Sequence, residues 1–480
     1  MRVCNEILGR EEECKRLERC LEEDSAQLVV VYGRRRVGKT FLINQFFDNQ
    51  FAFKITGIYG ETKKTQLRNF SAALNRNSKK KYDEPTDWFE AFECMRDYIG
   101  KLSKKTKQIF FFDEMPWLDT HKSGFLPAFE WFWNDYASTV RNVVFIVCGS
   151  ATAWMDKKIA NNKGGLFHRQ TCKLYLESFN LHDVEQYLLQ KKINWSHYDI
   201  AECYMIMGGI PYYLSLLDNS FTLKQNIDRL FFKKHGELWD EFDHLYKTLF
   251  TNSDKYEMVV EALSTKKGGL SRDEIIKKTG INSGGDLSRV LNDLVKSGFV
   301  RVVSFYEKRK KDALYQLADF YTLFYFKYIK NNYGKDEHFW LNATDNPSRR
   351  AWSGLAFEQV CMDHILQIKR KLEIGGVLSN EYAWSIGTDE EKGIDGAQID
   401  LILDRRDRVV SICEIKYSIK PFGIDKDYDI KLRNKIGTFV TATDCTETVQ
   451  LVMVTTYGLK DSKYNSIVNA QILLDDLFKE

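Results

Sequence analysis

Gly33-Arg34-Arg35-Arg36-Val37-Gly38-Lys39-Thr40 follows directly on the apolar run Leu28-Val29-Val30-Val31-Tyr32. It fits the pattern G-x-x-x-x-G-K-[ST] at each fixed position. The β-branched run predicts a strand that delivers the chain to a tight turn. Thr40-Phe41-Leu42-Ile43-Asn44-Gln45-Phe46-Phe47 predicts a helix that starts at the lysine. Glycines in such a turn let backbone N–H groups close around phosphate oxygens, and the helix N-terminus adds positive potential. Lys39 is expected to reach the β- and γ-phosphates of a nucleotide, and the Thr40 hydroxyl to hold Mg²⁺. Gly33, Arg34, Arg35, Arg36, Val37, Gly38, Lys39, Thr40 and Phe41 together form the expected nucleotide-binding stretch.

A loop of this kind needs a carboxylate on the metal side and a group that orients the attacking water. Ile109-Phe110-Phe111-Phe112-Asp113-Glu114 supplies both, on an apolar strand that ends in two acids. Asp113 is expected at the metal and Glu114 at the water.

With these residues in place, the chain resembles the P-loop ATPases of the AAA-related, archaeal kind, close to the signalling ATPases. The resemblance spans about residues 5–240. It implies ATP and Mg²⁺ as cofactors. Leu8-Gly9-Arg10-Glu11 resembles the family's N-terminal box beside the adenine, and Asp113-Glu114 with Trp117-Leu118 its second motif. Val147-Cys148-Gly149-Ser150 resembles the sensor strand, which implies Ser150 near the γ-phosphate. Gly165-Leu166-Phe167-His168-Arg169 resembles the segment that carries a family arginine, so Arg169 is the candidate finger. Gly208-Gly209-Ile210-Pro211 resembles a turn that brings Pro211 near the base. A finger acting in trans would need a neighbouring subunit in a homo-oligomer; action in cis stays open.

A length of 480 residues exceeds one core and suggests about three domains. Net charge is +3 with 29% charged residues, which argues against a uniformly basic surface and leaves room for local basic patches. The ten cysteines lie singly, without a C-x-x-C pair, so a zinc knuckle is not expected. The start MRVCNEILGREEECKRL is too charged for a signal peptide, and no apolar run approaches the ~20 residues of a membrane span. A soluble, cytoplasmic protein with no membrane partner is the expectation.

Strand-like apolar runs at Gln27–Tyr32, Gln108–Phe112 and Asn142–Cys148 are apolar throughout, as in the buried middle of a parallel sheet. From about residue 254 the pattern becomes helix, helix, turn, helix, hairpin. Tyr256–Leu263, Arg272–Lys278 behind the capping box Ser271-Arg272-Asp273-Glu274, and Asp286–Ser297 are the helices; Phe299–Phe305 and Ala313–Leu317 are the strands. This order predicts a winged helix-turn-helix. Lys308 to Lys311 at the wing tip suit a phosphate backbone, whereas Arg289 and Lys296 on the third helix are opposed by Asp286 and Asp293. Polar residues 331–350 read as a linker.

The last domain, 351–480, is expected to open with the helix Gly354–Leu372 and to hold strands at Ala397–Asp404, Val409–Tyr417 and Thr448–Thr455. Asp400 sits on the first strand; the second ends in Glu414-Ile415-Lys416. Period two puts Glu414 and Lys416 on one face, and a neighbouring strand can set Asp400 beside them. Two carboxylates can bind a divalent metal that activates water, with a lysine to position that water. Glu358 on the upstream helix completes the candidate metal shell with Asp400 and Glu414. This order of helix-Glu, Asp and E-x-K resembles the PD-(D/E)XK nucleases, and more narrowly the C-terminal domain of unknown function 234 that follows this ATPase type, although Ile399 stands where the literal motif has proline.

The expected architecture is thus α/β multidomain. A P-loop NTPase parallel sheet with a helical lid (1–240) is followed by a winged helix-turn-helix (241–330), a linker (331–350) and a restriction-endonuclease-like α/β domain (351–480). Three function classes follow: an ATP-gated nuclease on DNA or RNA with Asp400, Glu414 and Lys416 as its catalytic groups; a non-cleaving signalling ATPase; and a DNA-binding regulator acting through the wing, which the near-neutral charge disfavours.

Overall fold

In the computed structural model, which describes residues 7–250, 252–306, 313–332, 334–343, 346–388 and 396–480, the first sheet is built from the apolar runs. Its strands are β1 (Gln27–Gly33), β2 (Phe53–Thr56), β3 (Gln108–Asp113), β4 (Val143–Gly149) and β5 (Cys172–Leu176). All pairings are parallel, in the order β2-β3-β4-β1-β5. β4 is buried along its whole length, as a parallel sheet covered on both faces requires. Phe110 of β3 stacks on Phe145 of β4 with ring centroids 4.7 Å apart, and Phe92, Phe129 and Phe132 from the flanking helices pack onto the same layer. Because the strands are parallel, Gly33, Asp113 and Gly149 end at one edge, where α/β sheets of this class place their ligands. Within this sheet, β2 and β5 are the strands not announced by an apolar run.

The chain divides into two compact units, Met1–Ser178 and Phe179–Glu480. The helices of 179–240, joined in sequence to the first sheet as a lid, cluster with the second unit instead. Within that unit, Ser253–Ser264, Arg272–Thr279 and Gly285–Lys296 are helices, and β6 (Val300–Val303) pairs antiparallel with β7 (Leu314–Leu317). Ser271 caps the second helix in a full capping box with Glu274. The basic wing-tip stretch Lys308–Lys311 lies outside the described residues.

The last sheet contains β8 (Ser379–Ile386), β9 (Ala397–Arg405), β10 (Val409–Lys416), β11 (Thr448–Thr455) and β12 (Ala470–Leu473), in the order β12-β11-β10-β9-β8. It is mixed: β8–β9 and β9–β10 are antiparallel, β10–β11 and β11–β12 parallel. The helix Lys426–Thr443 covers one face with Leu432 and Phe439 against Trp384, Ile402 and Ile412.

The 331–350 segment is not an open connector. Trp340 is fully buried. Its backbone N–H donates to Asp228 Oδ1 at 2.7 Å and its indole N–H to Glu202 Oε1 at 3.1 Å. The Arg349 guanidinium lies 4.0 Å from its ring and pairs with Glu202. The following helix starts earlier than expected, at Pro347 behind the cap Asn346, and breaks at His364 before Ile365–Lys371. Pro at the first helical position with Asn before it is a local start signal.

Candidate functional site

Backbone geometry shapes the phosphate loop first. Gly33 has φ +147°, and a Cβ there would lie 2.3 Å from Leu176 O. Gly38 caps the helix Lys39–Phe46 in the left-handed region and offers no side-chain acceptor, so the first-turn N–H groups are left for an outside anion. Lys39 Nζ donates to Gly33 O at 3.0 Å and to Arg34 O at 2.7 Å, curled into the loop. Burial pushes the Lys39 pKa down, against the pull of Cys148, Glu114 and Asp113.

Thr40 Oγ1 donates to Asp113 Oδ1 and Oδ2 at 3.0 and 3.1 Å. The Glu114 N–H donates to Asp113 Oδ1 at 3.1 Å. Burial, then the neighbouring Glu114, raises the Asp113 pKa. Glu114 itself stands at φ +46°, a strained position for a side chain, and the turn points its carboxylate at β4. There Ser150 donates twice: N–H to Oε2 at 3.1 Å and Oγ to Oε1 at 2.5 Å. Ser150, expected beside the γ-phosphate, is thus engaged with Glu114. The Thr40 hydroxyl and the Asp113 carboxylate form an oxygen-only pair of the kind Mg²⁺ takes, so these residues fit that ion.

The other expected residues spread out. Arg10 clasps the loop: its guanidinium donates to Val37 O at 3.1 Å and to Glu177 O at 2.7 Å. Val37 and Arg34 are buried, Arg35 and Arg36 half-buried, and Phe41 exposed. Arg36 sits at φ +71°. Arg169 is exposed on a turn closed by its own N–H on Leu166 O, 3.1 Å. Pro211 belongs to the second unit, as the first residue of the helix Pro211–Ser215. Gln66, fully buried, donates to Ile58 O and Trp117 O and so ties the chain after β2 to the turn behind Glu114. No local pattern marks Gln66 in sequence.

In the second unit, Glu414 and Lys416 do share a face: Lys416 Nζ lies 2.9 Å from Glu414 Oε1. Glu414 also accepts from Lys435 Nζ at 2.6 Å and from Tyr428 OH at 2.6 Å. Burial works to raise its pKa, but Lys416 and Lys435 outweigh this and hold it at about 2. Glu358 and Asp400 form a separate group around Lys267, which pairs with Glu358 and lies 3.6 Å from Asp400 Oδ2. Burial, then the Asp400 charge, pushes Glu358 up to about 7. Lys267 belongs to the turn before β7's partner Leu270, far away in sequence.

Among the described residues, no three His, Cys, Asp or Glu side chains gather as metal ligands. The expected shell of Glu358, Asp400 and Glu414 is therefore corrected. Ammonium groups occupy both carboxylate clusters, and the residues as arranged do not fit a metal there. Nothing in the sequence pointed to Lys267 or Lys435, since both arrive by tertiary folding.

With this geometry in view, comparison with known proteins identifies the first part of the chain. Residues 7–217 match the family described as an ATPase domain predominantly from Archaea. The N-terminal region is an ATPase domain of this archaeal type, with a P-loop ATPase-like parallel sheet. An uncharacterized protein of Methanocaldococcus jannaschii is 24% identical over 436 residues, covering 90% of this chain and 92% of that protein. An uncharacterized ATP-binding protein of the same organism is 51% identical over 44 residues, 9% of this chain and 75% of that protein. The Walker-type ATPase of Pyrococcus abyssi superposes with a TM-score of 0.50 at 19% identity, covering 67% of this chain and 97% of that one, a likeness of fold. No helix among the described residues is long and apolar enough to cross a membrane.

Proposed function

We propose that the protein binds ATP with Mg²⁺ at the loop Gly33–Thr40, hydrolyses it, and uses the nucleotide state to control its helix–hairpin segment and C-terminal sheet. The observation that carries this reading is the chain of hydrogen bonds Thr40–Asp113–Glu114–Ser150 at the edge of the sheet. Mg²⁺, held by Thr40 and Asp113, would neutralise charge on the phosphates. Lys39 would swing from the loop carbonyls to the phosphate oxygens. Glu114 accepts a hydrogen bond from the attacking water and draws its proton; the two Ser150 donors fix the direction of the carboxylate.

Arg169 as a finger, in trans from a neighbouring copy or in cis, and Pro211 near the base are proposals on the family resemblance. The test is ATP turnover. Lys39→Ala should abolish binding and hydrolysis. Glu114→Gln should retain bound ATP and lose about 10²–10⁴-fold in turnover, the range for a general base. Undiminished turnover in Lys39→Ala sinks the assignment.

The three helices with β6 and β7 support a winged helix-turn-helix, and the order of Glu358 on the helix Pro347–Asp363 with Asp400, Glu414 and Lys416 on the mixed sheet supports a nuclease-like domain that acts on DNA or RNA. A second reading, a non-cleaving signalling switch, is favoured by the ammonium groups that already answer each carboxylate. Labelled single- and double-stranded DNA and RNA, incubated with Mg²⁺ or Mn²⁺ and with or without ATP, separate the two. Cleavage lost in Lys416→Ala supports the nuclease; intact ATP hydrolysis without cleavage supports the switch.

A further inference from the structure

The first sheet has a second edge, where its strands begin. Tyr98, near the end of the helix Trp88–Gly100, donates its hydroxyl to Ala52 O at 2.9 Å. Asn77, the last residue of the helix Lys63–Asn77, donates its side-chain amide to Phe51 O and Ala52 O at 3.1 and 3.2 Å. Both helices therefore end beside the start of β2, and the loops that follow them lie together. One loop is Ser78-Lys79-Lys80-Lys81; the other is Lys101-Leu102-Ser103-Lys104-Lys105-Thr106-Lys107, which leads into β3. Asp97 staples the two: it accepts from Lys80 Nζ and from Tyr82 OH, each at 3.0 Å, and pairs with Lys101. The Lys80 and Lys101 ammonium groups lie 4.9 and 5.7 Å from the centre of the Tyr82 ring. Lys101, then Lys80, holds the Asp97 pKa below its usual value, so one ionised acid is shared by two cations. Lys107 carries the row on beneath β1 and β4, donating to Ser25 O and Arg141 O at 3.0 Å.

We infer that this strand-start edge is a docking surface for the phosphate backbone of a nucleic acid, held without regard to base sequence. The chain as a whole carries only +3, yet seven lysines meet here, and among the described residues Asp97 is the only carboxylate paired with them. Helix C-termini attract cations within their last turn. Lys79, Lys81, Lys104 and Lys105 lie beyond the caps Ser78 and Lys101, outside those turns, and all four are exposed. Lysine is a point charge on a flexible stem, suited to phosphate oxygens and indifferent to base edges. Ser103 and Thr106, also exposed, add hydroxyl donors of the kind that contact phosphates. A membrane surface would call for apolar side chains beside the cations; the one apolar residue of these loops, Leu102, is half-buried. β3 runs from this edge to Asp113, roughly 17 Å away, so nucleotide and nucleic acid would occupy opposite edges of one sheet. The surface goes beyond the ATPase reading and does not depend on it.

The experiment is fluorescence anisotropy of labelled single- and double-stranded DNA and RNA with the full chain, from about 50 to 200 mM KCl. The parent should bind with log affinity falling linearly against log salt. A variant carrying Lys79→Gln, Lys81→Gln, Lys104→Gln and Lys105→Gln should lose about tenfold or more at the low-salt end. Its salt slope should flatten by about one for each lysine that contacts a duplex phosphate, and by less on single strands. ATP turnover and melting temperature should match the parent, because these four side chains are exposed. Lys→Arg at the same four positions keeps the charge and should keep both affinity and slope. Lys39→Ala should bind nucleic acid as the parent does, so a failure of the ATPase reading leaves this surface standing. Parent affinity and slope retained in the glutamine variant overturn the proposal, as does a parent that binds no nucleic acid. If the glutamine variant melts early, the arginine variant decides: binding lost in a folded arginine variant overturns the charge argument, and binding kept there supports it. Capture by phosphatidylcholine–phosphatidylserine vesicles in place of nucleic acid, lost in the glutamine variant, makes the partner a membrane and overturns the assignment.

Discussion

Asp113 and Glu114 in the first unit and Glu358, Asp400 and Glu414 in the second are all acids carried by a sheet or by an element next to it, yet their charges are answered differently. Asp113 is held by a hydroxyl and a backbone N–H, and Glu114 by the hydroxyl and N–H of Ser150. These donors orient the carboxylates and leave their net charge intact. The cation of that site, Lys39, is directed at carbonyls. In the second unit the donors are Lys267, Lys416 and Lys435, which orient and also cancel. A site held by neutral donors keeps negative charge available for Mg²⁺; a site held by ammonium groups has much of that charge already offset. The same residue types thus serve a site poised for a ligand and a site closed upon itself.

The sharpest test of the first half is Ser150→Ala. Loss of a hydrogen bond to a charged group costs about 1.5–3 kcal/mol, so ATP turnover should fall about 10- to 100-fold, with ATP affinity unchanged. Steady-state kinetics beside nucleotide titration would show it; a pure loss of affinity would mean that Ser150 serves the phosphates rather than Glu114.

The second half is tested by Lys435→Met. Glu414 would keep Lys416 and Tyr428 but lose one of its charged donors. Breaking a fully buried pair costs about 3–5 kcal/mol; with the Lys435 side chain 22% exposed, a loss of about 2 kcal/mol is expected in denaturant unfolding of the second unit. No loss would mean that Lys416 alone neutralises the acid.

A smaller effect concerns pH. Glu414 falls from 4.5 to about 2 on folding, so its stabilising contribution is complete above pH 4.5 and is lost as pH falls toward 2. Glu358 rises from 4.5 to about 7, so the fold prefers its protonated form; that contribution is complete below pH 4.5 and is lost as pH rises through 7. Thermal melts of wild type and Glu358→Gln between pH 4.5 and 8 should converge at the acid end and part toward pH 7, with the variant the more stable at neutral pH. Parallel curves would refute the assignment.

Much of this contrast was hidden from the sequence for a physical reason. The loop, the Asp113-Glu114 pair and the Glu414–Lys416 pair are local, set by strand period and turn chemistry, and were legible. β2 is hidden because Phe53–Thr56 is only four residues long, and β8 because its alternation is confined to Tyr382, Trp384 and Ile386 behind the polar start Ser379-Asn380-Glu381. The helix start at Asn346-Pro347 carries a local signal, but it sits at the end of the polar stretch 331–350; one tryptophan, Trp340, turns that stretch into core. Lys267 and Lys435 act across long sequence separations, where charge patterning carries no address.

The contact of Gly33 with Leu176 has a mechanical side. Leu176 closes β5, and Glu177, the next residue, is gripped by the same Arg10 that grips Val37 in the loop. Two consecutive peptide groups immediately before the division at Ser178 therefore rest on the phosphate loop, one by direct abutment and one through a guanidinium strut. The Gly33 contact has no room for even a Cβ, so the loop and the end of β5 are held at backbone distance. The loop and the outgoing end of the unit are built as one braced piece, with glycine the one residue thin enough for the joint at position 33.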